Sequence, residues 1–260
     1  MSDASKTEAV ISIRGLRTGF GDNIIHDGLD LDVLRGEVLG IVGGSGTGKS
    51  VLLRTIIGLN RPLSGTIRVF GQDLAGLNTA ERLAIERRWG VLFQNGALFS
   101  SMTVAQNIMV PMREHLALPD ALMTEIAAMK IAMVGLPPDA GVKYPSELSG
   151  GMRKRAGLAR ALALDPEVVF LDEPTAGLDP IGAAAFDALI RDMREALGLT
   201  VFMVTHDLDS LHAICDRIAV LAEKHVIVAG GMDAMLNCDH AWVREYFHGP
   251  RGRAAVQAKR

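Results

Sequence analysis

The stretch GGSGTGKS, residues 43–50, constrains the possible folds of this chain more than any other segment. It follows the order G-x-x-x-x-G-K-[ST], in which glycine backbone N–H groups close around a phosphate. Lys49 supplies a charge for the β- and γ-phosphates of a nucleotide, and the hydroxyl of Ser50 can bind Mg²⁺. Glu37–Val42 is typical of a buried strand, and Ser50–Leu59 of a helix whose positive N-terminus faces the anion. The sequence therefore predicts a nucleotide-phosphate loop; the alternative is a glycine-rich turn with an incidental lysine.

Two carboxylates end a second apolar run. The segment VVFLDE, residues 168–173, has four apolar residues followed by Asp172 and Glu173. Open α/β sheets bind their ligands at the carboxyl ends of the strands, where these two side chains would lie. We expect Asp172 to bind Mg²⁺ together with Ser50, and Glu173 to polarise the attacking water as a general base. The alternative is that both acids cap the turn before Pro174.

Three other residues fit the same chemistry. His206 follows the apolar run TVFMV and would project to the same sheet edge, although a structural histidine is the alternative. Gln94 closes the apolar strand in VLFQNGALF with an amide that can reach a water or Mg²⁺, or it simply ends that strand. Phe20, next to a glycine in TGFGDN, is suited to stacking on an adenine, whereas a core phenylalanine is the alternative.

Composition excludes several classes of protein. With 260 residues, 48% hydrophobic and 22% charged, the chain is globular and can bury a sizeable core. A net charge of −3 gives no general attraction to nucleic acid, so we expect no nucleic-acid partner. Two cysteines are too few for a disulfide framework, which favours a reducing cytosol. We expect neither a signal peptide nor a membrane-spanning segment, because Met1–Val10 is polar and no apolar run approaches about 18 residues.

The pattern along the chain predicts an α/β fold. Short strands alternate over residues 10–42, and Gly65–Leu74 is typical of another hairpin. Residues 79–160 show a mostly helical pattern that we expect to be broken at the prolines, including Pro111. Short apolar strands followed by helical stretches then return, which is the pattern of a parallel sheet covered on both faces.

The order of the motifs resembles that of ABC-type ATPase domains. Six motifs occur in the order and spacing of that family: GGSGTGKS, the FQ at 93–94, LSGGM at 148–152, VVFLDE, AGLDP at 176–180 and the TH at 205–206. The resemblance covers residues 10–240. The resemblance implies a P-loop NTPase (RecA-like) α/β core with an N-terminal antiparallel β subdomain and an inserted α-helical subdomain at about 95–158. It implies one domain over residues 10–245, followed by a basic tail at 246–260.

The resemblance also implies the cofactors ATP and Mg²⁺ and a full set of site residues. Catalytic roles would belong to Glu173, His206 and Gln94, and metal binding to Ser50, Gln94 and Asp172. The family commonly has tyrosine where this chain has Phe20, which keeps the aromatic face without the hydroxyl. The implied nucleotide contacts are Phe20, Gly43, Gly44, Ser45, Gly46, Thr47, Gly48, Lys49, Ser50, Val51, Ser149, Gly150, Gly151 and Asp179.

In this family two cassettes pair head to tail, so that LSGG of one covers the ATP held by the phosphate loop of the other. Ser149, Gly150 and Gly151 suit that role, since they offer a hydroxyl and an approachable backbone at the positive end of the following helix. The alternative is that they only cap that helix. The chain carries a single set of motifs, so the homodimer is the simplest expectation.

Two segments, LFQNGALFSSMTVAQNI and LSGGMRKRAGLARALALDP, resemble the ATPases of Mla-type, Mce-associated lipid-transport systems. This resemblance implies phospholipid transport between inner and outer membranes and a peripheral location on the cytoplasmic face of the inner membrane. It implies two copies of an integral membrane permease, an Mce-type substrate-binding protein and a STAS-domain protein as partners. The alternatives are a non-transport regulatory ABC ATPase that acts on a membrane partner, and the ATPase of a polar-solute importer.

Two clusters suggest further contacts. Methionines concentrated in residues 102–133 either line the groove for a permease helix or fill the core; the candidates for that groove are Met102, Met109 and Met112. Near the C-terminus an aromatic cluster would anchor its helix onto the body or onto a partner; it consists of Trp242, Tyr246 and Phe247.

Overall fold

The computed structural model describes residues 8–249, which contain both strands and helices. The basic residues after Pro250 lie outside this range. The strands are β1 (Ala9–Phe20), β2 (Asn23–Leu34), β3 (Val38–Gly43), β4 (Ser64–Val69), β5 (Gln72–Asp73), β6 (Trp89–Leu92), β7 (Val168–Asp172), β8 (Thr200–Val204), β9 (Arg217–Ala222) and β10 (His225–Gly230). The α-helices are α1 (Lys49–Ile56), α2 (Thr79–Glu86), α3 (Val104–His115), α4 (Asp120–Met133), α5 (Gly150–Ala161), α6 (Pro180–Leu197), α7 (Leu208–Ile214), α8 (Met232–Leu236) and α9 (Ala241–His248).

The chain divides into two compact units. The first contains residues 8–83 and 200–249, and the second contains residues 84–199. Within residues 8–249, none of the helices combines the length and the apolar character needed to cross a bilayer.

An antiparallel sheet in the first unit has the strand order β2-β1-β4-β5. Alternate residues of β1 and β2, such as Ile13 and Leu31, are paired across the two strands and buried. This is the period-2 pattern of a sheet with one face on the core. The predicted antiparallel β subdomain is therefore confirmed, and so is the hairpin within Gly65–Leu74, which consists of β4 and β5.

The first unit also contains a parallel arrangement around β3. Strands β8 and β9 pair with β3 on either side, both parallel to it, and β10 is antiparallel to β9. The strand β3 is almost wholly buried, which its apolar sequence predicts. Helices α7, α8 and α9 supply an apolar cluster next to these strands, with Phe247 of α9 only 1% exposed. The expected anchoring of the C-terminal aromatic cluster onto the body is thus confirmed for Phe247.

The second unit has two parallel strands, β6 and β7, and a set of helices. Its helices α3, α4 and α5 pack on one another. The predicted break at Pro111 is wrong, because α3 runs through that residue. Thr103 and Gln106 form a capping box at the start of α3, and the buried Ile108 and Met112 lie on either side of the proline. Capping and burial together maintain the helix despite the backbone N–H that proline lacks.

Three methionines of this unit lie in its core. Met109, Met112 and Met123 are buried, because they lie on the faces of α3 and α4 that pack together. The expectation that Met109 and Met112 line a surface groove is therefore wrong. Core packing, the alternative, describes these two residues.

Candidate functional site

The phosphate loop connects β3 to α1 in the first unit. Gly48, the residue before α1, has a φ of +93° and no side chain caps the helix. A Cβ placed on Gly48 would lie 2.4 Å from Ile25 Cγ2 and 2.5 Å from His26 Nε2, so only glycine fits. An uncapped helix N-terminus with close-approach backbone is suited to binding an anion. The local geometry agrees with the function that the sequence motif predicts.

Lys49 bonds to the loop itself. Its ammonium donates hydrogen bonds to the carbonyl oxygens of Gly43 at 2.8 Å and Gly44 at 3.0 Å. The Thr47 hydroxyl also donates to the Gly44 carbonyl, at 3.0 Å. Ser45 and Gly46 stay within this closed turn, and Ser50 and Val51 lie in the first turn of α1. The lysine charge is thereby held at the loop where a phosphate would need it.

His26 packs against this loop, and the sequence motifs do not indicate that contact. It is fully buried, and its Nδ1 is 2.7 Å from the Thr18 hydroxyl. Its other nitrogen, Nε2, faces Gly48. Burial lowers the pKa of His26 to about 4, against a smaller raising contribution from the Thr47 backbone. The imidazole is therefore neutral at pH 7 and adds no charge beneath the loop.

Phe20 ends β1 in the same unit. Its side chain is 59% exposed, which rules out the alternative of a core phenylalanine. Thr18, two residues earlier on β1, bonds to His26 and so connects this strand to the phosphate loop. An exposed aromatic face at this strand end can stack on a base.

His206 lies at the same sheet edge as the phosphate loop. It follows β8, which is parallel to β3 with Ile41 opposite Val204. The Thr205 backbone N–H donates to the Ile41 carbonyl at 3.2 Å and ties the two strand ends together. The imidazole itself is on the exposed surface. The first unit therefore brings His206 and the phosphate loop to one edge.

The C-terminal helix α9 contacts both of these elements. The Tyr246 hydroxyl donates a hydrogen bond to the backbone carbonyl of His206 at 2.8 Å. Its ring stacks on Trp242, with centroids 4.7 Å apart and planes at 15°. A Cβ placed on Gly44 would lie 3.5 Å from Trp242 Nε1. The aromatic cluster thus lies against the phosphate loop and the strand end that carries His206.

The second unit brings three other predicted residues to one strand edge. Strands β6 and β7 are parallel, with Leu92 opposite Leu171. Asp172, at the end of β7, is 5% exposed, and Glu173 follows with a φ of +51°. Gln94 lies in the turn just after β6 and is exposed. Hence an amide and two carboxylates follow neighbouring strand ends, as the apolar runs predict.

Helix α5 begins with the LSGG segment. The Ser149 hydroxyl accepts a hydrogen bond from the Met152 backbone N–H at 3.2 Å and caps the helix, so the capping alternative does occur. Ser149 and Gly150 are both exposed, and a Cβ on Gly150 would meet nothing within 4 Å. Packing within the chain therefore does not require glycine at this position. Gly151 follows in the first turn of the helix.

Two buried or half-buried basic residues of α5 hold the turns at this edge. The Lys154 ammonium donates to the backbone carbonyl of Glu173 at 2.7 Å. Burial lowers the pKa of Lys154, while Glu173 and Asp172 act in the opposite direction. Arg160 donates to the carbonyls of Ala97 at 2.7 Å and Gly96 at 2.9 Å, in the turn that contains Gln94. Sequence motifs indicate neither contact, because both partners are backbone carbonyls.

Asp179 lies at the start of α6. Its carboxylate accepts a hydrogen bond from the Gly182 backbone N–H at 2.9 Å and caps the helix. Its side chain is otherwise on the exposed surface. The structure gives this predicted nucleotide contact a capping role within the chain.

The donor set suits Mg²⁺. Among residues 8–249 no group of three or more His, Cys, Asp or Glu side chains could enclose a metal ion. The predicted ligands are instead the hydroxyl of Ser50, the amide of Gln94 and the carboxylate of Asp172, all of them oxygen donors. Mg²⁺ is characteristically bound by one or two carboxylates with waters and substrate phosphates. The donor chemistry of each of these residues therefore fits a magnesium ion.

Comparisons with known proteins agree with this chemistry. The family described as "ABC transporter" matches residues 26–176. The "Probable ribonucleotide transport ATP-binding protein mkl" of Mycobacterium leprae is 41% identical over 93% of this chain and 69% of its own length. The "Intermembrane phospholipid transport system ATP-binding protein MlaF" of Haemophilus influenzae is 40% identical over 92% of this chain and 90% of its own.

A solved structure has the same fold. It is a dimeric ATP-binding cassette, MJ0796, in a post-hydrolysis state with ADP and phosphate bound. It is 27% identical, covers 85% of this chain and 98% of its own, and superposes with a TM-score of 0.77.

Proposed function

The chain belongs to the ABC transporter family and is an ATP-hydrolysing motor subunit of that family, and we propose that it powers phospholipid transport between inner and outer membranes. The observation that carries this proposal is the 40% identity to MlaF, with 92% of this chain and 90% of that protein aligned. Such reciprocal coverage means that the two chains correspond along almost their whole length.

We assign the nucleotide chemistry residue by residue. The phosphate loop binds the phosphates through its backbone and Lys49, and Phe20 stacks on the adenine. Asp172, Ser50 and Gln94 would hold Mg²⁺, whose charge would offset that of the phosphates. The carboxylate of Glu173 accepts a proton from the attacking water. In support, Asp172, Glu173 and Gln94 follow neighbouring strand ends, and Lys49 is already held at the loop.

His206 completes this assignment. Its ring is exposed at the edge that carries the phosphate loop, and its backbone is fixed by Tyr246. We assign it a hydrogen bond to the γ-phosphate or to the attacking water, since imidazole can donate or accept at neutral pH.

ABC cassettes bind ATP, form dimers and work with membrane permeases, and we propose that this chain forms a head-to-tail homodimer. Ser149, Gly150 and Gly151 of one copy would then cover the ATP of the other, with Asp179 near that interface. The related cassette MJ0796 is dimeric with ADP and phosphate bound, which supports this arrangement. Gly150 gives a second reason, since no neighbour in its own chain requires it to lack a side chain.

The permease is proposed to dock on an exposed apolar patch of the second unit that consists of Phe99, Val142 and Tyr144. Their exposed fractions are 51%, 76% and 45%. All three flank the first turn of α3, since Asn107 bonds to the backbone of Phe99 and the Val104 N–H donates to the Lys143 carbonyl. This patch replaces the buried methionines as the candidate contact.

The remaining partners follow from the similarity to MlaF. We propose two copies of the permease, an Mce-type substrate-binding protein and a STAS-domain protein, with this chain peripheral on the cytoplasmic face of the inner membrane. Residues 10–245 would act as one ATPase domain. Copurification with the permease from membranes is the direct measurement of these partners.

Ribonucleotide transport is the second candidate, because the mkl relatives carry that description and are 41% identical. To separate the two cargoes, the purified transporter complex is reconstituted in liposomes with labelled phospholipid or labelled ribonucleotides. We expect ATP-dependent movement of phospholipid and none of ribonucleotide, and a Glu173→Gln complex is the hydrolysis-deficient control. Movement of ribonucleotide without lipid transfer would refute the lipid assignment and leave the ATPase assignment intact.

A further inference from the structure

We infer that Lys154, on the LSGG helix α5, is a positioning residue that holds the proposed general base Glu173 in its working conformation. The inference rests on the proposed role of Glu173. Its direct observation is the 2.7 Å hydrogen bond from the Lys154 ammonium to the Glu173 backbone carbonyl. Both residues lie in the second unit.

The backbone of Glu173 needs support. Its φ of +51° is in the left-handed region, which a residue with a Cβ rarely adopts. Such conformations persist where the surroundings hold them, and they are found preferentially at functional sites. The direction in which the Glu173 carboxylate leaves the strand depends on this φ. Whatever holds the peptide after Glu173 therefore also sets the position of the carboxylate.

The carbonyl of Glu173 is held from two sides. The Ala176 backbone N–H donates to it at 3.2 Å and closes the turn that follows β7. Lys154 supplies the second, shorter hydrogen bond, from a side chain that is only 6% exposed. A charged donor makes a stronger hydrogen bond than a neutral one, so removing the Lys154 ammonium would weaken the support of this carbonyl.

Burying a lysine side chain costs free energy, so the burial of Lys154 on α5 must be offset by an interaction that it makes. A residue at this position of an amphipathic helix could be apolar and pack equally well. The ammonium instead reaches a backbone carbonyl, which a methionine of similar length cannot do. Lys154 therefore links the helix that begins with Ser149 to the residue proposed to activate water.

The test uses Lys154→Met and Lys154→Gln in the full-length protein, with ATP hydrolysis and ATP binding both measured. We expect Lys154→Met to lower kcat about 10- to 100-fold, the effect of a small misplacement of a catalytic group, with KM for ATP changed less than about twofold. The amide of Lys154→Gln can still donate one hydrogen bond and should recover part of kcat. Lys130→Met is the matched control, since Lys130 is another buried helix lysine of the second unit and pairs with Asp165.

A double mutant separates positioning from a general structural effect. Because Lys154 acts through the Glu173 carboxylate, Lys154→Met should slow Glu173→Gln less than about twofold. If Lys154→Met slows the wild type and Glu173→Gln by the same factor, or if its kcat equals that of the wild type, the inference about Lys154 is overturned. The proposed role of Glu173 would then still stand. If Glu173→Gln hydrolyses ATP at the wild-type rate, the proposed general base and this inference both fail. If Lys130→Met loses as much kcat as Lys154→Met, the role of Lys154 is structural and the inference is wrong.

Discussion

Replacing His26 with glutamine should make the free energy of unfolding less sensitive to pH. His26 is fully buried beneath the phosphate loop, and burial lowers its pKa from 6.5 to about 4. Between these two pH values the unfolded chain binds a proton at His26 that the folded chain does not. Stability contributed by the neutral imidazole is therefore complete above pH 6.5 and is lost as the pH falls towards 4.

The size of the effect follows from the two pKa values. Between pH 6.5 and pH 4, each unit by which the pH falls lowers the free energy of unfolding by about 1.4 kcal/mol, because the unfolded chain binds one more proton than the folded chain. From pH 7 to pH 5 the wild-type protein should lose about 2 kcal/mol of unfolding free energy through His26 alone. Other groups that titrate in this range are common to wild type and variant, so they cancel in the difference.

Urea unfolding at pH 7 and pH 5 measures this difference. His26→Gln should lose about 2 kcal/mol less than the wild type over that interval, whatever its stability at pH 7. Thr18→Val is the control, because it removes the 2.7 Å contact to Nδ1 but keeps the titrating ring. An identical loss in wild type and His26→Gln would refute a neutral buried histidine under the loop.

Three further variants test the site. Lys49→Ala should bind ATP about 10- to 100-fold more weakly, because a charged hydrogen-bond donor to the phosphates is lost, and near-normal ATP binding by equilibrium titration would contradict this. Mixing Ser149→Arg chains with Lys49→Ala chains should restore about a quarter of the wild-type ATPase rate. About half of the dimers would be mixed, and each mixed dimer would have one of its two composite sites intact. An absence of recovery would count against action in trans. Tyr246→Phe keeps the stack on Trp242 and loses the hydrogen bond to the His206 carbonyl, so thermal unfolding should show a loss of about 1 kcal/mol, and an unchanged midpoint would argue against that bond.

The sequence was sufficient to predict those site residues whose position depends on the local hydrophobic pattern. Apolar runs ending in Gly43, Asp172 and His206 identify strand ends, and parallel pairing then brings functional residues to a common edge within each unit. Such residues can be predicted because strand direction and hydrophobic pattern together decide where they lie.

His26 could not be predicted in the same way. Leu29, Leu31 and Val33 alternate as buried residues of β2, and continuing that alternation would turn residue 26 outwards. A bulge intervenes, since Leu16 pairs with Leu29 whereas Thr18 pairs with His26. One extra residue on β2 reverses the faces and turns the imidazole inwards. The hydrophobic pattern does not reveal this change of register.

For Lys154 and the methionines, prediction from sequence fails for a different reason. A lysine in a helical segment indicates an exposed face, but Lys154 is buried and its ammonium donates a hydrogen bond to a backbone carbonyl distant in sequence. Met109 and Met112 suit either a core or a binding surface, and only packing between helices decides between the two. In each case the partner lies on another element of the fold, so residue type alone is not informative.

The place of Trp242 gives the protein an internal optical reporter. The chain has two tryptophans, and Trp89, the other, lies edge-on to Phe170 in the second unit. Trp242 instead has its indole nitrogen beside Gly44 and its ring on Tyr246. Indole emission responds to nearby charge and to solvent, so a Trp89→Phe chain should report arrival of a polyphosphate as a change in intrinsic fluorescence. The filling of the phosphate loop could then be followed in real time without attaching a dye.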